Sequence, residues 1–158
     1  MSRSFSRSAA ASVWWLPVRL KSDGRGVSAL EFAIAAPVVL AIGTGMLKFG
    51  VAMSHYLVLT NAAAQGALAL ALSRGTATPY TTTMTAISNA APGLTASRIT
   101  TTATVNGTAC STNSDCSALL AAGATARVRT TYPCDLTVMG VDFKSGCTLS
   151  AETAQMVQ

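Results

Sequence analysis

Side chains that carry chemistry are scarce in this sequence. It holds one histidine, His55, and six acidic residues among 158, which leaves little material for acid–base or metal-centred work. Charged residues are only 11% and half the chain is hydrophobic, with a mean hydropathy of +0.43. That excludes a disordered or charge-rich linker. Aromatics make up 6% and basic residues number 11, so an ordinary nucleic-acid-binding surface is not expected despite a pI near 9.4. No phosphate loop, nucleophile elbow or metal-ligand spacing is present. His55 has no carboxylate near it in sequence and reads as a surface or interface histidine. The expectation is a membrane-associated structural protein of one ordinary domain, not an enzyme, with no cofactor, no metal and no nucleic-acid partner.

The positive charge is concentrated at the start. Residues 1–26 carry Arg3, Arg7, Arg19, Lys21 and Arg25 against Asp23. A basic head before an apolar run keeps that head cytoplasmic while the following segment crosses the membrane. A basic arm for nucleic acid or acidic lipid is the alternative, but an apolar segment of membrane length follows directly. Ala9–Val18 is apolar but short. It resembles the hydrophobic region of a secretory signal, yet no small-x-small cleavage site follows it.

From Val27 the chain reads as one helix to about Arg74, roughly 70 Å long at 1.5 Å per residue. Phe32–Leu47 is uncharged, and with Val27–Leu30 the apolar stretch reaches about 20 residues, enough to span a bilayer core. Pro37 removes a backbone donor and should kink or loosen the helix. Gly43 and Gly45 add softness. Beyond Lys48 the pattern changes: Phe49, Ala52, Tyr56, Leu59, Ala63, Gly66 and Leu70 recur at three- and four-residue steps as one apolar seam. Ser54, Asn61 and Gln65 lie on the opposite face. This half should pack outside the bilayer, on the protein's own domain or on neighbouring helices. A second span over 49–73 is disfavoured, because no turn separates it and the polar stripe would face lipid. Arg74 and Gly75 suit a helix C-terminus.

The fold class expected is α+β: a long N-terminal helix followed by a small antiparallel β domain. The divisions are 1–26 leader, 27–48 transmembrane helix, 49–75 exposed helix and 76–158 extracytoplasmic domain. A threonine-rich connector (76–85) leads to a short helix near Thr82–Ala91, ended by Pro92–Gly93. Ile99, Thr101, Ala103 and Val105 alternate as a half-buried strand, and Asn106–Gly107 is a turn. A helical piece is expected at Ser117–Ala122. Ala126, Val128, Thr130 and Tyr132 face one way in a second strand. Leu136–Phe143, with a bulge or turn at Gly140, and Cys147–Ala154 are further strands. Cys110, Cys116, Cys134 and Cys147 allow three pairings. Cys110–Cys116 with Cys134–Cys147 closes the shortest loops and is preferred. Zinc would want a CxxC pair, which is missing, and four free thiols remain the plain alternative.

One stretch carries the functional signal: Arg25-Gly26-Val27-Ser28-Ala29-Leu30-Glu31-Phe32. A carboxylate five residues past a glycine, inside an apolar helix, is costly in lipid and needs a reason to exist. Processing after Gly26 would free an amine at Val27, about one helical turn from Glu31. In a bundle of such helices, Glu31 could pair with the amine of a neighbouring subunit and set register. The plain alternative is a glutamate that snorkels to the interface.

This stretch, followed by Ala-Ile-Ala-Ala-Pro37 and an apolar run to Lys48-Phe49-Gly50, resembles the TadE-like pseudopilins of tight-adherence pilus systems. The likeness covers residues 24–75, about one third of the chain. It implies insertion in the bacterial inner membrane as a single-pass protein, N-terminus cytoplasmic and C-terminal domain extracytoplasmic. It implies that a prepilin peptidase cuts after Gly26, leaving Val27 as the mature terminus with an amine open to N-methylation, and that Glu31 is the assembly carboxylate. The partners implied are that peptidase, other pilin or pseudopilin subunits and the membrane, with a role as a minor pilin-like component in pulling together a pilus or related secretion machine. Tight-adherence major pilins are much shorter, and the region after Arg74 has no motif of the family. A type II secretion pseudopilin and an unprocessed signal-anchored envelope protein are the competing readings.

Overall fold

A computed structural model describes residues 24–158. The basic leader up to Asp23 lies outside the described residues. The elements in order are helix α1 (Gly24–Leu72), helix α2 (Pro79–Asn89), strands β1 (Thr100–Val105) and β2 (Thr108–Cys110), helix α3 (Asn113–Leu119), and strands β3 (Thr125–Pro133), β4 (Thr137–Val138), β5 (Val141–Asp142) and β6 (Thr148–Met156). The architecture is the expected α+β one, a long N-terminal helix and then a small antiparallel sheet. The chain divides into two compact units between Ala36 and Pro37.

In the first unit the described part is helix alone, and its side chains from Val27 to Ala35 are exposed. The helix begins three residues before the expected Val27 and ends two before the expected Arg74. Gly75 has the positive φ, 76°, that a left-handed helix end favours.

The second unit is built on the far half of α1. Leu59, Ala63, Ala67 and Leu70 are fully buried, so the helix forms a core layer of the domain that follows it. The expected seam is right from Leu59 onward. Toward the N-terminus it is displaced: Phe49 and Tyr56 are exposed, while Ala52 and His55 are partly covered. Small residues set the distance of approach. At Gly66 a Cβ would lie 2.5 Å from Ile87 Cγ1 and 2.8 Å from its Cδ1, so only glycine lets α2 come this close. α2 starts three residues before the expected position because Pro79 opens it.

The main sheet has the order β2-β1-β3-β6, antiparallel throughout. Its inward positions are those the alternation marks: Ala103 and Val105 on β1, and Ala126, Val128, Thr130 and Tyr132 on β3. Burying a side chain such as Val128 or Leu70 contributes roughly 1.5–3 kcal/mol each. Thr130 is buried too, and its hydroxyl donates to the Leu59 carbonyl at 3.4 Å. Asn106 and Gly107 turn the β1–β2 hairpin with φ of 50° and 82°, as Asn-Gly should. On the outer face Arg127 pairs with Glu152, and Arg129 donates to Ser150 Oγ at 3.1 Å.

α3 runs Asn113–Leu119, earlier than the expected Ser117–Ala122. Its start is set by Thr112, whose hydroxyl accepts from the Asp115 N–H at 3.1 Å. The segment 136–143 is not one strand but a separate hairpin, β4–β5. Met139 and Gly140 form its turn with φ of 50° and 82°, so Gly140 marks a turn and no bulge. Both disulfides have the preferred pairing. Cys110–Cys116 closes β2 onto α3 with Cα atoms 5.0 Å apart. Cys134–Cys147 closes the loop holding the β4–β5 hairpin, with Cα atoms 5.1 Å apart.

Candidate assembly helix

The near part of α1 is apolar on every side and bare on almost all of them. Leu30, Phe32, Ile34, Val38 and Leu40 are each at least 57% exposed, and at 3.6 residues per turn they fall all around the helix. A helix of a soluble domain shows one apolar stripe and one polar face. Val27–Leu72 is long and apolar enough to cross a membrane, and its most apolar window has none of its residues buried. Length and composition give the same answer as the sequence did, because about 20 apolar residues match the bilayer core.

Val27 and Glu31 stand four residues apart on α1, so their side chains share a face about 6 Å apart along the axis. Glu31 is exposed, open to a partner from another chain. The Gly26–Val27 peptide lies within helical backbone. Were that bond cut, the first N–H groups of the helix would lose their carbonyls, and Glu31 would stand near the positive end. Pro37 lies inside α1 with helix on both sides, and it removes the N–H that would reach the Ala33 carbonyl.

A half-covered stripe continues the buried seam along α1: Ala41, Gly45, Lys48, Ala52 and His55. What covers it is the β4–β5 hairpin and the end of β3. Lys48 Nζ lies 2.6 Å from Asp135 Oδ2. That ammonium, with the Thr137 hydroxyl and N–H, holds the Asp135 carboxyl well below the usual carboxylate range. The Thr137 N–H donates to Asp135 Oδ1 at 3.0 Å. A cleft of about 580 Å³ opens here, with Lys48, His55, Arg98, Tyr132 and Asp135 on its walls. His55 meets the Tyr132 ring edge-on at 5.6 Å between centroids, and the Arg98 guanidinium lies 5.4 Å from the same ring. His55 is thus an interface residue inside the chain. Among the described residues, no group of three or more His, Cys, Asp and Glu side chains is gathered closely enough to hold a metal ion.

The Lys48–Asp135 pair and the hairpin beside it were not singled out by sequence reasoning. A lysine ending an apolar run is a signal for the membrane boundary, but nothing in the sequence says which of the acids past Arg74 would meet it. The expected site residues do not converge on one pocket. Gly26, Val27, Glu31 and Pro37 lie along one helix, and the four cysteines pair in the domain.

In comparison with family models, residues 26–68 match the model described as TadE-like protein. The match begins at the glycine expected at the cleavage site and ends in the small-residue stretch buried against the sheet. The comparisons with curated proteins and with solved structures returned no match.

Proposed function

We propose that this chain, TadE-like over residues 26–68, is a minor pilin-like component of a tight-adherence type IV pilus or related secretion assembly. A prepilin peptidase removes the basic leader by hydrolysing the Gly26–Val27 bond. The mature chain, residues 27–158, stays in the bacterial inner membrane through α1, with its domain on the extracytoplasmic side. Basic residues concentrated in the leader support that orientation, and paired cysteines in the domain suit an oxidising compartment. No reaction is assigned to the chain itself.

The observation that carries this reading is the coincidence of the family match with a bare apolar helix bearing Glu31. A charged residue at the centre of a spanning helix costs about 2.5–3.5 kcal/mol. Glu31 lies closer to the helix start, where the cost is smaller but not zero. The amine of a neighbouring Val27 offsets it only when subunits assemble, so the carboxylate favours the bundle over the isolated anchor. Sequencing the N-terminus of protein taken from cells tests the processing step. Val27 is the expected first residue; Met1, or any other start, refutes it. Glu31→Leu should leave membrane insertion intact and reduce co-purification with pilus components, and unchanged pilus output would remove Glu31 from assembly.

A further inference from the structure

The β4–β5 hairpin puts its most apolar residues outward. Met139, Val141 and Phe143 are 63%, 60% and 72% exposed. Three large apolar side chains exposed on one short hairpin, from its turn to the residue after β5, leave apolar surface that water does not favour. The backbone raises the same question. Met139 stands at a left-handed φ of 50°, where asparagine or glycine is the usual occupant and a side chain like methionine costs about 1–2 kcal/mol.

The place of the patch answers it. The hairpin lies along α1 beside Ala41, Gly45 and Phe49, across an almost wholly apolar groove of about 530 Å³. That stretch belongs to the part of α1 that is apolar enough to cross a membrane. Lys48, paired with Asp135, marks the last charge before it. Measured from Lys48 toward the N-terminus, Gly45 and Ala41 lie about 5 and 10 Å further along the axis. Amphipathic elements that rest in a bilayer interface bury their apolar face about 5–10 Å deep.

We propose that the β4–β5 hairpin is a membrane-interface foot, with Met139, Val141 and Phe143 seated at the boundary between lipid headgroups and acyl chains, beside the point where α1 enters the bilayer. The proposal rests on the reading of α1 as the membrane anchor. Its occupant is lipid because the patch is continuous with the candidate span. Charges flank the apolar residues: Lys48 and Asp135 pair where the hairpin leaves the sheet, and Asp142 and Lys144 alternate with Val141 and Phe143 along the chain. Lysine stems there can lie on apolar surface while the ammonium reaches phosphate. The Cys134–Cys147 disulfide ties both ends of the foot to the sheet, so it fixes the height of the domain above the membrane.

The test uses the full chain in vesicles of phosphatidylcholine and phosphatidylglycerol, with Trp14→Phe and Trp15→Phe as a fluorescence-silent background. Single tryptophans are introduced by Phe143→Trp, by Leu40→Trp in the span, and by Ala77→Trp past the far end of α1. Lipids brominated on the upper acyl chain are the quencher. Phe143→Trp and Leu40→Trp should lose about half or more of their emission and Ala77→Trp almost none, as expected for a site 5–10 Å inside the interface. Quenching of Leu40→Trp with Phe143→Trp as unaffected as Ala77→Trp overturns the foot and leaves the anchor standing. No quenching at Leu40→Trp overturns the anchor and the foot with it. A blue-shifted but unquenched Phe143→Trp means that a second copy of the chain, not lipid, covers the patch, and also refutes the proposal. A circular dichroism spectrum and a cooperative melt like those of the parent chain show that each variant is folded.

Discussion

Gly66 shows how much a single hydrogen can decide. It lies in the buried seam of α1, and the atoms a methyl group would strike belong to Ile87, which is itself only 3% exposed. Glycine in a helix interior costs about 1 kcal/mol against alanine, and overpacking a filled core costs about 1–3 kcal/mol. The second outweighs the first here, because the buried side chains of Ile87 and Val128 both crowd that position. Gly66→Ala should therefore lower stability by up to about 2 kcal/mol, seen as a lower midpoint of thermal unfolding. Ile87→Val in the same chain should restore part of the loss. A Gly66→Ala protein as stable as the parent would mean that α2 can shift freely. Asp135 offers a second test at this scale. Its carboxyl is held below its ordinary value by Lys48 and Thr137, so the pairing favours the folded chain above the unfolded pKa of about 3.9. That contribution fades as pH falls below about 4, and it is unchanged between about pH 5 and 8. The Asp135 carboxyl carbon, followed by NMR, should titrate below the ordinary aspartate value of about 3.9; a midpoint at or above that value would mean that Lys48 is not its partner in solution.

Among the elements, those with strong periodicity were legible from the chain. β1 and β3 alternate cleanly, and every inward residue named from the alternation on β3 is buried. α1 was legible in kind and nearly in length. Its seam was misread at Phe49 and Tyr56 because two phases of a 3.6-residue repeat both carry apolar residues there, and only the partner surface chooses between them. That surface, the Tyr132 ring against His55, is far away in sequence. α3 was misplaced because the Thr112–Asp115 cap was overlooked, although a hydroxyl three residues before an acid is a readable start signal. Met139–Gly140 was harder, since methionine is no turn signal. The turn geometry makes a prediction of its own. Met139→Asn supplies a residue suited to positive φ, so the β4–β5 hairpin should become more rigid by about 1 kcal/mol. Slower amide exchange at Val141 and Asp142, with the main sheet unchanged, would show it. Exchange as fast as in the parent would mean that the turn carries no strain to relieve.

At the scale of the whole molecule, α1 has two kinds of surface. Its near part is bare and apolar, while Leu59, Ala63 and Leu70 are core residues of the domain. The four-stranded sheet has one face polar, with Arg127, Arg129 and Glu152 exposed, and the other apolar. Without α1, Val128, Thr130 and Tyr132 would face water, and a single sheet with α2 lacks the second layer that a stable domain needs. A fragment of residues 76–158 should therefore fail to fold cooperatively, even with both disulfides formed. A fragment of residues 49–158 keeps the helix layer and should unfold in one cooperative transition, near the midpoint of the full chain. It loses Lys48, and with it the tie to Asp135, but an exposed ion pair contributes only about 0–1 kcal/mol. Circular dichroism melts of the two fragments decide the matter. A stable, cooperative 76–158 would show that the sheet completes its core without α1, and the helix would then be a stalk attached to the domain instead of part of it.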